Sequence, residues 1–394
     1  MPSLRSLAIL AAALSAARAQ TYTLSQDLSG ANFFSAFKYN ESAVDFNNFG
    51  NVHFLGEDDA NNAKLTFVDS NNRAIIKVDN TTNGAGDPTF GRNTVYLMSN
   101  KLMTIGSLLI FDANHMPFGC SVWPSLFTQG QVWPAQGEID IIENVNLATN
   151  NRFSLHVGDD NCVQPTSVSG NQTGQISTAN GDISNCTVTP ATGQNTIGCV
   201  TSETKDNSFG QGFSSAGGGV FAALWDESGI AMWFFSRPDV PSNIGGTAAP
   251  DPTTWGKASA WYPASGCNPS TAFGPQIITL YIDICGAFAG QQSVFEQSCA
   301  SAAPNCSALV GDPANYNDAY WEINYLRVFT NSANVADTSS ASSGPTSGGS
   351  AGTGSQSGSS PSASQTGSSG ALPSLPLSAS LLTAALVLVG MLSL

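Results

Sequence analysis

The chain has 394 residues, of which 41% are hydrophobic but only 10% charged, and its formal net charge is −15. A chain this acidic is a poor match for the phosphate backbone, so nucleic acid is excluded as a partner. Little charge combined with abundant Gly, Asn, Ser and Thr instead suits a neutral polymer held through hydroxyls and aromatic rings.

The first 19 residues carry Arg5, an apolar run from Leu7 to Leu14, and Ala17-Arg18-Ala19. They read as a secretory signal peptide cleaved before Gln20, with an apolar stretch too short to span a membrane. Without them, 11 basic residues face 28 acidic ones, a net charge of −17. From Gln20 to Asn334 helical signatures are scarce. Strand-like runs recur at Leu65–Asp69, Ala74–Val78, Thr94–Met98, Gly106–Asp112, Gly137–Glu143, Phe153–Val157, Gly219–Trp225, Ile230–Phe235, Ile277–Cys285 and Trp321–Phe329, separated by Gly-, Asn- and Pro-rich turns. Many short strands in one domain predict an all-β sandwich or barrel. Asn161–Asn207, with three cysteines, reads as a long disulfide-tied loop.

The most informative run is Gly137-Glu138-Ile139-Asp140-Ile141-Ile142-Glu143. Isoleucines favour a strand, and carboxylates within a largely buried strand are costly unless used. Period-two alternation puts Glu138 and Asp140 on one face. Glu143 falls on the opposite face unless one extra residue near Ile141-Ile142 forms a β-bulge, which returns it to the other two acids. Two carboxylates so placed suit retaining glycoside hydrolysis, which needs them roughly 5–5.5 Å apart. Asp140 between them can hold a proton or tune the nucleophile through like-charge coupling.

All eight cysteines, at 120, 162, 186, 199, 267, 285, 299 and 306, lie between Cys120 and Cys306. An even count in a secreted chain predicts up to four disulfides among Cys120, Cys162, Cys186, Cys199, Cys267, Cys285, Cys299 and Cys306, with the pairing open. No Cys/His cluster argues for zinc and no dense Asp/Asn loop for calcium, so neither metal nor cofactor is expected. Sequons stand at Asn40, Asn80, Asn171, Asn185 and Asn305, and a disulfide at the cysteine inside the last two would compete with glycan attachment.

Beyond Asp337 the chain has no charged residue, and residues 335–369 read as a disordered Ser/Gly-rich linker. Ser368-Ser369-Gly370-Ala371, an uncharged spacer of about nine residues and the apolar Leu381–Leu394 match a GPI-anchor signal over residues 370–394. Ser369 is the expected attachment residue, with Ser368 and Gly370 as alternatives; a C-terminal transmembrane anchor is the competing reading.

With these residues placed, Gln20–Asn334 resembles glycoside hydrolase family 16, the laminarinase and mixed-linkage glucanase group, in particular the secreted fungal endo-1,3(4)-β-glucanases. The resemblance rests on Glu138-Ile139-Asp140-Ile141-Ile142-Glu143, on Trp133-Pro134, on His115-Met116-Pro117 with Gly119-Cys120-Ser121-Val122-Trp123-Pro124, and on Leu155-His156, Trp225, Trp233–Arg237 and Trp321–Phe329. It implies a β-jelly-roll sandwich of two antiparallel sheets with a concave cleft. It also implies Glu138 as nucleophile, Glu143 as acid/base and Asp140 as assistant, with His156 bonding Asp140 or a sugar hydroxyl. Trp133 would stack on a glucosyl ring, with Trp225 and Trp261 as weaker substrate-binding candidates and Trp123 in the core. The sequence departs from the pattern at Phe127, where a platform Trp is usual, at Asn144 in place of Gly, and at Tyr96 in place of Arg.

The expected activity is internal hydrolysis, with retention, of cell-wall β-1,3- and mixed β-1,3/1,4-glucans. Its partners are then a β-glucan and, through the lipid anchor, the outer leaflet of the plasma membrane, with the protein a monomer. The alternatives are an anchored glucan transglycosylase and a non-catalytic glucan-binding wall protein. The chitin–glucan transglycosylases of this clan lack the bulged spacing, as the family pattern implies.

Overall fold

The computed structural model describes residues 21–331 apart from 159–161, 178–183, 190–196 and 247–248. The expected signal peptide, the linker, the anchor signal and Ser368, Ser369 and Gly370 lie outside the described residues.

Two eight-stranded sheets form the body of the protein. In chain order the strands are β1 (Tyr22–Ser29), β2 (Phe37–Tyr39), β3 (Val52–Phe54), β4 (Thr66–Val68), β5 (Ala74–Lys77), β6 (Arg92–Thr94), β7 (Tyr96–Met103), β8 (Ser107–His115) and β9 (Val122–Gly130). There follow β10 (Glu138–Glu143), β11 (Arg152–His156), β12 (Gln175–Ile176), β13 (Cys199–Ser202), β14 (Gly219–Asp226), β15 (Gly229–Ser236), β16 (Ala260–Pro263), β17 (Gln276–Ile284) and β18 (Tyr320–Asn331). One sheet runs β16-β15-β14-β8-β18-β5-β4 with β1 also paired to β18; the other runs β12-β13-β11-β10-β9-β17-β7-β2. Within both sheets every pairing is antiparallel, and β3 and β6 form a separate parallel pair. The all-β sandwich expected from the strand runs is therefore the fold. The longest α-helix among the described residues, Gln292–Cys299, has 8 residues.

The core is built by alternation. On β14, Phe221, Ala223 and Trp225 face the second sheet, while Val220 and Ala222 face outward. Phe153 of β11 meets Phe221 across the gap at 6.4 Å, and Phe221 packs on Phe234 of β15 at 4.8 Å. The outward row joins Leu108, Ile110, Trp233, Phe235 and Phe329, covered by Ile244, Trp255 and Ala258 from the stretch after β15.

Four disulfides pair Cys120 with Cys299, Cys162 with Cys267, Cys186 with Cys199 and Cys285 with Cys306. The stretch read as one long loop at 161–207 is tied down by two of them, but it also contains β12 and β13, which pair with each other, and β13 pairs with β11. Of the sequon asparagines, Asn40, Asn171 and Asn305 are exposed and Asn80 and Asn185 half-buried. Cys186 and Cys306, inside two sequons, are both disulfide-bonded.

Candidate active site

β10 lies fourth from one edge of its sheet, so both sides of the strand are hydrogen-bonded. Against β9 the register runs Glu138 to Gln129 and Asp140 to Phe127, then jumps to Ile142 opposite Leu126 and Glu143 opposite Ser125. Against β11, Glu138 faces His156, Asp140 faces Ser154 and Glu143 faces Arg152. Two residues thus oppose one, which is the β-bulge that the spacing predicts. Ile141 and Ile142 are both 0% exposed in the inter-sheet core, so Glu143 returns to the face of Glu138 and Asp140.

A bulge leaves backbone groups without ladder partners, and buried groups of that kind are expensive. Asn151, itself fully buried, fills the gap. Its Nδ2 donates to the Ile141 carbonyl at 2.9 Å, and its Oδ1 accepts from the Glu143 N–H at 3.0 Å. At the other end of the strand Gly137 has φ +72°, a conformation that L side chains rarely adopt, and a Cβ there would stand 2.3 Å from Phe273.

The three acids are not equivalent. The Asp140 side chain is 3% exposed, against 17% for Glu138. Asp140 accepts from Ser154 Oγ at 2.6 Å and faces His156 Nε2 at 3.0 Å, while His156 Nε2 stands 3.9 Å from Glu138 Oε1. Glu143 Oε1 accepts the indole N–H of Trp123 at 3.0 Å. The two glutamates are therefore the acids that reach toward ligand, and Asp140 is the one enclosed between them.

Burial, then the charge of Asp140, pushes Glu138 well above the ordinary carboxylate range; His156 and a hydrogen bond from Trp133 oppose this. Burial and Asp140 raise Glu143 to about 7, against the opposing pull of Arg152, His156 and the Trp123 hydrogen bond. Burial alone would lower His156, but the charge and hydrogen bond of Asp140, followed by the two glutamates, raise it to about 9. At neutral pH the two glutamates thus compete for a proton beside an imidazolium. Once Glu143 holds that proton it no longer repels charge on Glu138, and His156 and Trp133 favour the ionised form there. Glu138, Asp140 and His156 also present ligand atoms within 4.8 Å of one another, a spacing a divalent ion could use, but the His156–Asp140 contact already employs that capacity internally.

Arg152 faces Glu143 across the ladder and stacks over the Phe288 ring at 4.8 Å. Arg152→Met keeps the packing volume and removes the cation that favours ionised Glu143. The Glu143 pKa then rises, so the alkaline limb of kcat/KM, where the proton donor is lost, is expected to move to higher pH. A profile unmoved or displaced to lower pH would show that Arg152 does not act on Glu143.

Two expected substrate-binding residues lie elsewhere. Trp225 is 2% exposed in the inter-sheet core, edge-on to Phe273 at 6.2 Å, with no face open to a sugar. Trp261 alternates with the core residues Ala260 and Tyr262, so it packs against the outer cluster of the other sheet, away from the acids. Trp123, expected in the core, is buried in a small cluster with Val145 and Ala289, and from there it also donates to Glu143. Phe127 lies opposite Asp140, 7% exposed, with its ring edge-on to Tyr281 at 5.6 Å. Trp133 is 41% exposed in the turn before β10. Tyr96 accepts a hydrogen bond from Gln129 Nε2 at 3.1 Å, and Asn144 Nδ2 donates to the Asn150 carbonyl at 2.8 Å. Sequence reasoning passed over Asn151, Arg152 and Ser154, and it did not foresee the bond from Trp123 to Glu143. Period-two spacing along β11 carried a usable signal, since Arg152, Ser154 and His156 share one face.

The family model described as "XgeA-like, catalytic GH16 domain" matches residues 37–329. An endo-1,3(4)-beta-glucanase of Arthroderma benhamiae is 33% identical over 325 residues, 82% of this chain and 67% of that protein. The chain spans about half the length, 49–50%, of several other curated relatives. GH16 Laminarinase 16A from Phanerochaete chrysosporium, solved with beta-glucans in donor and acceptor sites, is 32% identical, with a TM-score of 0.71 over 79% of this chain and 100% of its own. An elongating GH family 16 beta-1,3-glucosyltransferase is 31% identical, with a TM-score of 0.67 over 78% of this chain and 100% of its own. These matches extend across both sheets and the whole acid strand, and on them the chain belongs to glycoside hydrolase family 16, as a glycoside hydrolase with the jelly-roll fold of that family.

Proposed function

We propose that this enzyme hydrolyses β-1,3- and mixed β-1,3/1,4-glucan chains internally, with retention at the anomeric carbon. The observation that carries the reading is the bulged strand, which sets Glu138 and Glu143 on one face with Asp140 enclosed between them. In the first step ionised Glu138 attacks the anomeric carbon. The bond to the leaving sugar oxygen breaks, and Glu143 gives that oxygen its proton. In the second step ionised Glu143 takes a proton from water, the hydroxide oxygen attacks the same carbon from the opposite face, and Glu138 leaves as carboxylate. A Glu143 pKa of about 7 suits a group that must be acid in one step and base in the next. Asp140, bonded to Ser154 and His156, fixes the imidazole between the acids, and the charge of His156 favours the ionised form of Glu138.

A second reading has a specific observation behind it. The elongating glucosyltransferase is about as similar to this chain as the laminarinase, and the glycosyl–enzyme can be resolved by a sugar hydroxyl in place of water. Incubation of laminarin or barley glucan with a labelled acceptor oligosaccharide decides between them. Products shorter than the substrate with unextended label support the hydrolase, extended label supports transfer, and labelled acceptor and polymer both unchanged would refute either activity.

We further propose that the enzyme works outside the cell, delivered by residues 1–19 and held by a GPI lipid on Ser369 or its neighbours Ser368 and Gly370. The amino-terminal and carboxy-terminal sequence signals and four disulfides support this, since disulfides persist in oxidising compartments. Phosphatidylinositol-specific phospholipase C should release the protein from intact cells; retention after complete digestion of a control anchor refutes the lipid.

A further inference from the structure

Ten large hydrophobic side chains are left exposed among the described residues, and five of them, Val44, Phe46, Phe49, Val132 and Trp133, fall in two short segments. Val132 and Trp133 lie in the turn that leads into Glu138, where Trp133 already touches that acid. Val44, Phe46 and Phe49 lie between Ser42 and Gly50, with Phe46 76% and Phe49 74% exposed.

The 42–50 loop is firmly anchored. Asp45, 4% exposed, accepts from the N–H groups of Asn47 at 3.0 Å and Gly50 at 2.9 Å, and also from Asn48. The Asn48 carbonyl accepts from Ala287 N at 2.7 Å, and its Nδ2 donates to the Tyr281 hydroxyl at 3.3 Å. Gly50 packs so tightly on Asp283 that a Cβ there would stand 1.8 Å from Oδ1. Phe49 has φ 59°, which costs a bulky residue about 1–2 kcal/mol. A loop tied down at this many points, yet holding two phenylalanines in water and one of them in a strained conformation, is not optimised for stability.

Its position explains the arrangement. Tyr281, beneath Asn48, sits opposite Ser125, which sits opposite Glu143 on the acid face. The Tyr281 ring is 6.2 Å from Trp123 and 5.6 Å from Phe127. The loop is therefore continuous with the floor that holds the acids and forms a rim of it, as the Trp133 turn forms another.

We propose that Phe46 and Phe49 form an outlying platform for the glucan chain, stacking on glucosyl residues beyond those held at Glu138 and Glu143. The proposal rests on the glucan reading above and names a part of the site that recognises chain length. Exposed aromatic faces match the CH faces of glucosyl rings, and water leaves both surfaces on contact. The chain that enters the cleft needs no second partner to reach them.

The test compares Phe46→Ala/Phe49→Ala with the parent on laminarin and on a short laminari-oligosaccharide that fills only the positions at the acids. Both side chains lie in water, so the melting temperature should stay within experimental error of the parent. The KM on laminarin is expected to rise about tenfold with kcat retained, while both constants on the short oligosaccharide stay within twofold. A laminarin KM within twofold of the parent overturns the platform. So does an equal rise on both substrates, which would place the residues at the acids or make them merely structural. A parent that turns over no β-glucan refutes the functional reading instead. Electrophoresis through laminarin-containing gels then reads the platform separately: weaker retardation of the double variant supports it, and equal retardation rejects it.

Discussion

Glu138→Gln and Glu143→Gln are each expected to cut the release of reducing ends from laminarin by about a thousandfold or more. Neither change alters side-chain volume appreciably, and each removes a buried carboxylate crowded by the charge of Asp140. Both variants should therefore melt no lower than the parent, which separates lost chemistry from lost structure. The two losses have different chemical causes, and an added nucleophile tells them apart. In Glu138→Ala the space left beside the anomeric carbon admits azide, which displaces an activated leaving group once and gives the inverted, α-glycosyl azide. In Glu143→Ala the glycosyl–enzyme still forms from an activated aryl glycoside. Azide then resolves it without needing a base, and the product is the β-glycosyl azide. The opposite pairing of product and variant exchanges the two roles. Activity within tenfold of the parent in either glutamine variant would remove that residue from the mechanism.

The second large effect concerns stability. The Cys120–Cys299 disulfide closes a sequence separation of 179 residues, whereas Cys186–Cys199 closes one of 13. Chain-entropy reasoning assigns about 5 kcal/mol to a loop of the first size and about 3 kcal/mol to one of the second. The larger figure is comparable with the whole folding free energy of many domains, about 5–15 kcal/mol. Cys120→Ser/Cys299→Ser should accordingly lower the melting temperature by about 10 °C or more. Cys186→Ser/Cys199→Ser should lower it distinctly less. The long bridge also reaches the site, because Cys120 lies three residues before Trp123, the donor to Glu143. Its loss should depress kcat at temperatures where the protein is still folded. Equal thermal shifts for the two pairs, read by calorimetry, would rule out loop closure as the source of stabilisation.

The sequence is most legible where a strand has one buried face and one used face. Isoleucines alternating with acids marked β10, and the odd spacing from Asp140 to Glu143 called for the bulge found in the ladder. Reading fails where both faces are covered. β9 and β14 are buried along most of their length on both sides, so alternation carries no polar mark to tell core from cleft, and Trp225 falls in the core against expectation. β9 also carries Pro124, which argues against an interior strand. It is tolerated because the last β10 pair is Ser125 with Glu143, so Pro124 has no ladder neighbour on that side. Asn151 was invisible for a different reason: its partners are backbone groups that exist only because a bulge does. The disulfide pairing and the exposed loop at Phe46 depend on which strands come to lie side by side, and no local pattern encodes that.

The bulge gives this strand an unusual freedom of length. Residues at 138, 139, 140, 142 and 143 all keep partners on β9, and Ile141 alone is surplus to that ladder. Loss of a residue elsewhere in a paired strand turns every following side chain to the wrong face. Here, removing Ile141 leaves Glu-Ile-Asp-Ile-Glu, which alternates regularly and still sets all three acids on one side, at the expense of the hydrogen bond from Asn151 to the Ile141 carbonyl. The separation of the two reacting carboxyl groups is thus adjustable by a single in-frame codon, without rebuilding any other part of the sheet.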